Sequence, residues 1–128
     1  MRILLDTHIV LWMVAQSSRI SAAARPLLED TDNLLYCSTA SLWEIAIKSG
    51  LRRADFEVSL PELRAALAQM DIEELPVLGS HTEQLLKLPP LHKDPFDRML
   101  VAQSMAEPLV LLTNDSALAP YWDGVRLV

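Results

Sequence analysis

Three short apolar runs in the chain each stop at a polar cluster. Asp6-Thr7 follows Ile3-Leu4-Leu5, Ser38-Thr39 follows Leu34 to Cys37, and Thr113-Asn114-Asp115 follows Leu109 to Leu112. If these runs are parallel strands of one sheet, the clusters lie beyond the strands' carboxyl ends, where open α/β sheets bind ligands. Asp6 and Asp115 should then approach each other although they lie near opposite ends of the sequence. Two further acids can reach that edge from helices: Glu44, between Trp43 and Ile45, and Asp97, in the first turn after Asp94-Pro95. Carboxylates gathered in one cleft repel, and some keep their protons unless a cation sits among them. A divalent ion removes that cost. Oxygen donors without sulfur, and histidines limited to His8, His81 and His92 with no HExxH pair, point to Mg²⁺ or Mn²⁺ rather than zinc.

Each of these acids also has a purely structural use. Glu44 can pair with Lys48 one helical turn on, a contact worth roughly a few tenths of a kcal/mol. Asp97 can complement the positive end of its helix, and Asp94 can cap it.

The elements that must position these groups can be read from pattern. Ile3–Leu5 and Leu34–Cys37 are short and apolar on both sides, as in strands buried on both faces of a parallel sheet. A helix containing Ile9, Val10, Trp12 and Met13 follows the first, with Thr7 as its cap, and a short second helix starts at Ser21. Ser38 is placed to cap a helix that Gly50 stops. Ser59-Leu60-Pro61-Glu62 has capping-box spacing and an early proline, so a helix runs to about Met70. Ile72 to Leu78 is a third strand. A helix from Gly79-Ser80 ends before Pro89-Pro90, and Asp94-Pro95 opens a helix that ends before Pro108. Leu109–Leu112 and Val125–Val128 complete the set. Strands alternating with helices predict an α/β fold, a three-layer α/β/α sandwich around a mainly parallel sheet of four to five strands.

Composition agrees with one globular domain over residues 1–128. The 128 residues are 51% apolar and 22% charged, and no repeat, low-complexity tract or linker interrupts them. The formal charge is −6, which excludes a protein that grips nucleic acid by bulk charge. Cys37 lies in an apolar run and reads as a small buried hydrophobe; with no second cysteine for a disulfide, a cytoplasmic location is expected. Asp6 and His8 interrupt the N-terminal apolar run before a signal sequence is complete, and no stretch has the ~20 apolar residues of a membrane helix, so no membrane partner is expected.

The segments Leu4-Leu5-Asp6-Thr7-His8, Ser38 to Lys48, His92 to Gln103 and Leu112-Thr113-Asn114-Asp115 together resemble PIN-domain ribonucleases, and within them the VapC-type toxins of bacterial toxin–antitoxin pairs. The likeness runs in order from the first strand to the last. It implies a metal-dependent endoribonuclease site of four acids, which carry over as Asp6, Glu44, Asp97 and Asp115, all catalytic and all around Mg²⁺ or Mn²⁺. Asp94 is a cap beside the site. Thr7 and Thr113 match hydroxyl positions that orient the acids or a water, while Asn114 stands where related patterns place arginine. Hydrolysis would leave a 5′-phosphate and a 3′-hydroxyl. The expected partners are an RNA substrate, a cognate antitoxin that wraps the toxin, and a second copy of the chain, with dimer or antitoxin contacts sought near Ile9–Met13 and Leu60–Met70. An acidic ribonuclease meets its substrate through local cations, for which Lys48, Arg52, Arg53, Lys93 and Arg98 are the candidates, the alternative being solvated charge.

Two other function classes fit less well. A phosphoryl-acceptor receiver domain needs paired acids near the first strand and a lysine after a late strand; here His8 follows Asp6 by two, and no lysine follows Lys93. A haloacid-type phosphatase needs a second aspartate that Asp6-Thr7-His8 lacks. A non-catalytic module, whose carboxylates only seat a cation or a basic peptide, is distinguished from a nuclease by metal titration with a chelator-controlled RNA assay.

Overall fold

The structure is a computed structural model that describes residues 1–51 and 58–128. Arg52 and Arg53, two of the expected phosphate contacts, lie outside the described residues. The chain runs β1 (Arg2–Leu5), α1 (Thr7–Val14), α2 (Arg25–Glu29), β2 (Leu34–Ser38), α3 (Thr39–Gly50), α4 (Leu60–Gln69), β3 (Ile72–Leu75), α5 (Gly79–Leu85), α6 (Pro95–Ala106), β4 (Val110–Thr113), a 3₁₀ turn (Ser116–Tyr121) and β5 (Val125–Leu127). The five strands form one sheet in the order β3-β2-β1-β4-β5, and every neighbouring pair is parallel. The fold is thus the α/β architecture expected from the alternation of strands and helices.

Side chains alternate across the central strand and divide the core in two. Ile3 and Leu5 face a cluster with Leu35, Cys37, Ile72 and Leu112 of the sheet, Ile9, Val10 and Met13 of α1, Leu42 and Ile45 of α3, and Leu63 and Leu67 of α4. Leu4 faces the opposite side, with Leu111, Leu100 and Val101 of α6, Leu109, Leu118 and Tyr121. Ile3, Leu4 and Leu5 are completely buried, which is why these three positions of the strand are all apolar, while Arg2 at its start is exposed. Cys37 is likewise completely buried.

Three local expectations need correction. Asp6, not Thr7, caps α1: its backbone is extended, its carboxylate accepts the His8 N–H, and Thr7 is already helical. Strand β3 stops at Leu75 rather than Leu78, because Pro76 has no N–H to give to a ladder. The short second helix spans Arg25–Glu29 rather than starting at Ser21. Ile9, Val10, Leu11, Met13, Leu63 and Leu67 are buried in the core, Met70 is exposed, and an apolar stripe of Trp43, Ile47 and Leu51, every fourth residue along α3 and its C-cap, is exposed as well. Among the described residues, no helix is long and apolar enough to cross a membrane.

Candidate active site

The strand order reverses at β1, since the chain moves from β1 outward through β2 and β3 and later returns to pair β4 on the other side. The crevice between the carboxyl ends of β1 and β4 is the switch point at which such sheets bind ligands. Asp6 leaves β1 there, and its backbone N–H continues the ladder to the Leu112 carbonyl at 3.0 Å. Thr113, the last residue of β4, donates its hydroxyl to Asp6 Oδ2 at 2.6 Å. The same Thr113 oxygen accepts the Asp115 N–H at 3.0 Å, so one hydroxyl ties the two strand-end acids together. Asp115 Oδ1 caps the following 3₁₀ turn through the Ala117 N–H at 2.9 Å.

Helix α3 brings Glu44. Its first turn is fixed by Ser38, whose hydroxyl accepts the Ala40 N–H and donates to Gln103 of α6. Thr7 donates to Ser41 at 2.8 Å, joining α1 to α3. The Thr7 hydroxyl therefore engages a helix rather than an acid, and it supports the site by holding the helix on which Glu44 sits. Glu44 is buried; Lys48 pairs with its Oε2, while Oε1 is buried without a hydrogen-bond partner. The structure thus contains the pair one helical turn apart, and it leaves one carboxylate oxygen still unsatisfied.

Helix α6 brings Asp97. The Asp94 carboxylate accepts the N–H groups of Phe96 and Asp97, and Pro95 occupies the first helical position. Asp97 Oδ2 lies 3.6 Å from His92 Nε2, and Asp115 Oδ2 lies 3.3 Å from the same nitrogen. His92, Asp97 and Asp115 each offer a donor atom within 4.8 Å of the others, a spacing that a single cation can span. Asp6 and Glu44 stand outside this tightest set but within electrostatic reach of Asp97.

The electrostatics record the crowding. The Asp97 carboxyl is pushed up to about 8, first by burial and then by the charges of Asp94, Asp6, Glu44 and Asp115. Burial also raises the Asp6 carboxyl, against the hydrogen bonds from Thr113 and from the His8 backbone and the attraction of His8. Four acids from four different parts of the fold therefore share one field. Hard oxygen donors, an unpartnered buried oxygen on Glu44 and a carboxyl that resists ionisation are together the donor chemistry of a divalent cation site.

The predicted cations are distributed unevenly. Lys48 is paired with Glu44, and Lys93 is exposed in the loop before α6. Arg98 turns to the protein: Nη2 lies 3.4 Å from the Leu88 carbonyl and Nε is buried. Asn114 is exposed and lines a shallow basin with His8, Trp12, Arg19 and Asp115. Arg19 and His92 were not among the expected site residues. Nothing in spacing marks Arg19, while His92 stands two residues before the Asp94 cap, a signal that only the loop's geometry makes legible.

A PIN domain family model matches residues 3–121. No curated protein sequence matches the chain. Among solved structures, VapBC2 from Rickettsia felis, bound to a DNA fragment from its promoter, aligns with a TM-score of 0.69 and 16% identity over 100% of this chain and 98% of that one. VapBC-1 from nontypeable Haemophilus influenzae gives 0.65 and 17%, covering 94% and 92%. A domain of a functionally unknown protein from Methanocaldococcus jannaschii gives 0.57 and 17%, covering 93% and 81%. The acids at the β1–β4 switch point therefore occupy a known fold, and the chain belongs to the PIN domain family.

Proposed function

We propose that this protein is a divalent-metal-dependent endoribonuclease and the toxin of a VapC-type toxin–antitoxin pair. The observation that carries the reading is the convergence of Asp6, Glu44, Asp97 and Asp115 from four parts of the fold, with the Glu44 Oε1 oxygen buried and unpartnered. Asp97 and Asp115 would hold Mg²⁺ or Mn²⁺, with Asp6 and Glu44 completing the negative field. Such an ion supplies water activation and neutralises charge growing on the scissile phosphate. Thr113 keeps Asp6 turned toward the cleft, and the Asp94 cap fixes the first turn of α6 on which Asp97 stands. Lys93 and Arg19 are exposed on the loops around the acids and suit the RNA backbone.

The pairing with an antitoxin rests on the sequence resemblance and on the two VapBC neighbours. The uncovered stripe of Trp43, Ile47 and Leu51 suits a protein contact, either the antitoxin or a second copy in a homodimer. The test is mapping of new 5′ ends in cellular RNA after induction, with Asp6→Asn as control and a chelator arm on the purified protein. Discrete new 5′-phosphate ends that need both Asp6 and the metal support the reading. Cleavage that persists in Asp6→Asn, or in chelator, removes it.

A further inference from the structure

We propose that His92 is the positioning residue of the acidic cluster: a hydrogen-bond donor held in its Nε2–H tautomer, which aims Asp115 and the neighbouring Asp97 for a divalent cation without ligating that cation itself. The proposal rests on the metal-dependent reading above and adds to it the group that orients the carboxylates.

The argument begins with a backbone hydrogen. The Asp94 N–H donates to His92 Nδ1 at 3.0 Å, so the Nδ1 lone pair is committed. A neutral imidazole has one donor and one acceptor, and the proton therefore sits on Nε2. That nitrogen faces Asp115 Oδ2 at 3.3 Å and Asp97 Oδ2 at 3.6 Å. Ligation through Nε2 would need its lone pair. The ring would then have to become an imidazolate or abandon the Asp94 N–H, and neither is needed if His92 stays a donor.

The anchoring is rigid because Asp94 has two tasks. Its Oδ1 accepts the Phe96 and Asp97 N–H groups while its own N–H holds His92. The run His92-Lys93-Asp94-Pro95-Phe96-Asp97 thus packs donor, cap and acid into one turn. On the far side Asp115 passes the order on, since its N–H donates to Thr113 Oγ1 and Thr113 donates to Asp6 Oδ2. A continuous hydrogen-bonded chain links the start of α6 to the ends of β4 and β1, and His92 is the link that joins the α6 turn to the β4 side. Glu44, whose buried Oε1 has no hydrogen-bond partner, adds its charge to the field at Asp97. Partners that orient metal-binding carboxylates commonly govern affinity nearly as strongly as the ligands do.

The experiment titrates Mn²⁺ alone into the wild-type protein, His92→Ala and His92→Gln, following the free-ion EPR signal, with cooperative thermal melts to show that each variant is folded. His92→Ala should weaken Mn²⁺ binding by about 10- to 100-fold, the usual effect of losing such a partner. His92→Gln, whose amide N–H can replace the Nε2–H, should recover most of it. Pulsed EPR of the Mn²⁺-loaded wild type should lack the coupling of a directly bound nitrogen. A directly bound ¹⁴N signal overturns the proposal, as does unchanged affinity in His92→Ala or failure of folded His92→Gln to recover any. Wild-type protein that binds no Mn²⁺ removes the metal-dependent reading itself, and this assignment falls with it.

Discussion

Asp97 is ionised near 3.8 in an unfolded chain but holds its proton to about 8 in the folded, metal-free protein. Between those values the native state binds more protons than the unfolded state, so this group's contribution to stability is fully present below about pH 4 and is lost as the pH rises toward 8. The raised Asp6 carboxyl acts in the same direction. Metal-free protein should therefore melt at falling temperatures from pH 5 to pH 8, measured in chelator. Asp97→Asn should flatten that slope without abolishing it, the remainder belonging to Asp6, and should remove most of the stabilisation that Mg²⁺ or Mn²⁺ would give the wild type under the proposed function. An unchanged slope in Asp97→Asn would show that the carboxyl is not held protonated. A second titratable group gives a simpler test. The Cys37 thiol is completely buried and pushed up to about 12, by burial first and the charge of Glu74 second. It should resist iodoacetamide in the native protein at pH 8 and react once the chain is unfolded in urea; rapid native labelling would contradict that burial.

Helix α3 depends on a polar network that no periodicity reveals. Ser38 caps the helix and donates to Gln103 Oε1; the Gln103 amide reaches the Pro76 carbonyl at 3.3 Å and approaches His81 Nδ1, and His81 Nε2 meets Glu107 at 2.8 Å. Losing the cap costs about 1 kcal/mol. Leaving the buried Gln103 acceptor unpaired adds about 1–3 kcal/mol. Ser38→Ala should therefore shift the urea unfolding free energy by about 2–4 kcal/mol, whereas Ser59→Ala, at an exposed cap whose hydroxyl lies 3.4 Å from the Glu62 N–H, should cost under about 1 kcal/mol. Equal losses at the two positions would mean that Gln103 finds another donor. The contrast also separates what local residue types reveal from what they do not. The caps at Ser38, Ser59 and Asp94 can be named from sequence alone, but the Ser38–Gln103 bond spans 65 positions and only the packed fold contains it. At the start of α1, Asp6 and Thr7 are both good caps. Backbone geometry decides between them, and the extended conformation falls on Asp6.

The sheet explains why the acids converge as expected while their surroundings are not legible in the sequence. Asp6 and Asp115 each follow an apolar strand, and the β1–β4 pairing brings those two ends together. His92 and Arg19 sit in connecting segments, whose paths are set by packing rather than by a repeating pattern. Under the proposed function the same arrangement poses an electrostatic problem, because a chain of formal charge −6 would receive a polyanion at an acidic edge. Exposed cations near that edge are few in the described residues, Lys93 and Arg19 among them. Affinity for RNA should therefore depend on the divalent ion more than on protein charge. Using Asp6→Asn to suppress cleavage, RNA binding in chelator should be weak and should strengthen by at least about tenfold when Mg²⁺ or Mn²⁺ is added, equivalent to about 1.4 kcal/mol. Adding Asp97→Asn to that variant should strengthen binding in chelator, by removing like charge, and reduce the response to the ion, by removing a proposed ligand. Each protein cation that meets a phosphate contributes a slope of roughly 0.7 to the dependence of log Kd on log salt for a single strand. A few contacts give a shallow dependence, and charge reversal of Lys93 and Arg19 together should flatten it further. A steep dependence that survives both reversals, with affinity indifferent to the divalent ion, would place the RNA on a different surface from the acidic cleft.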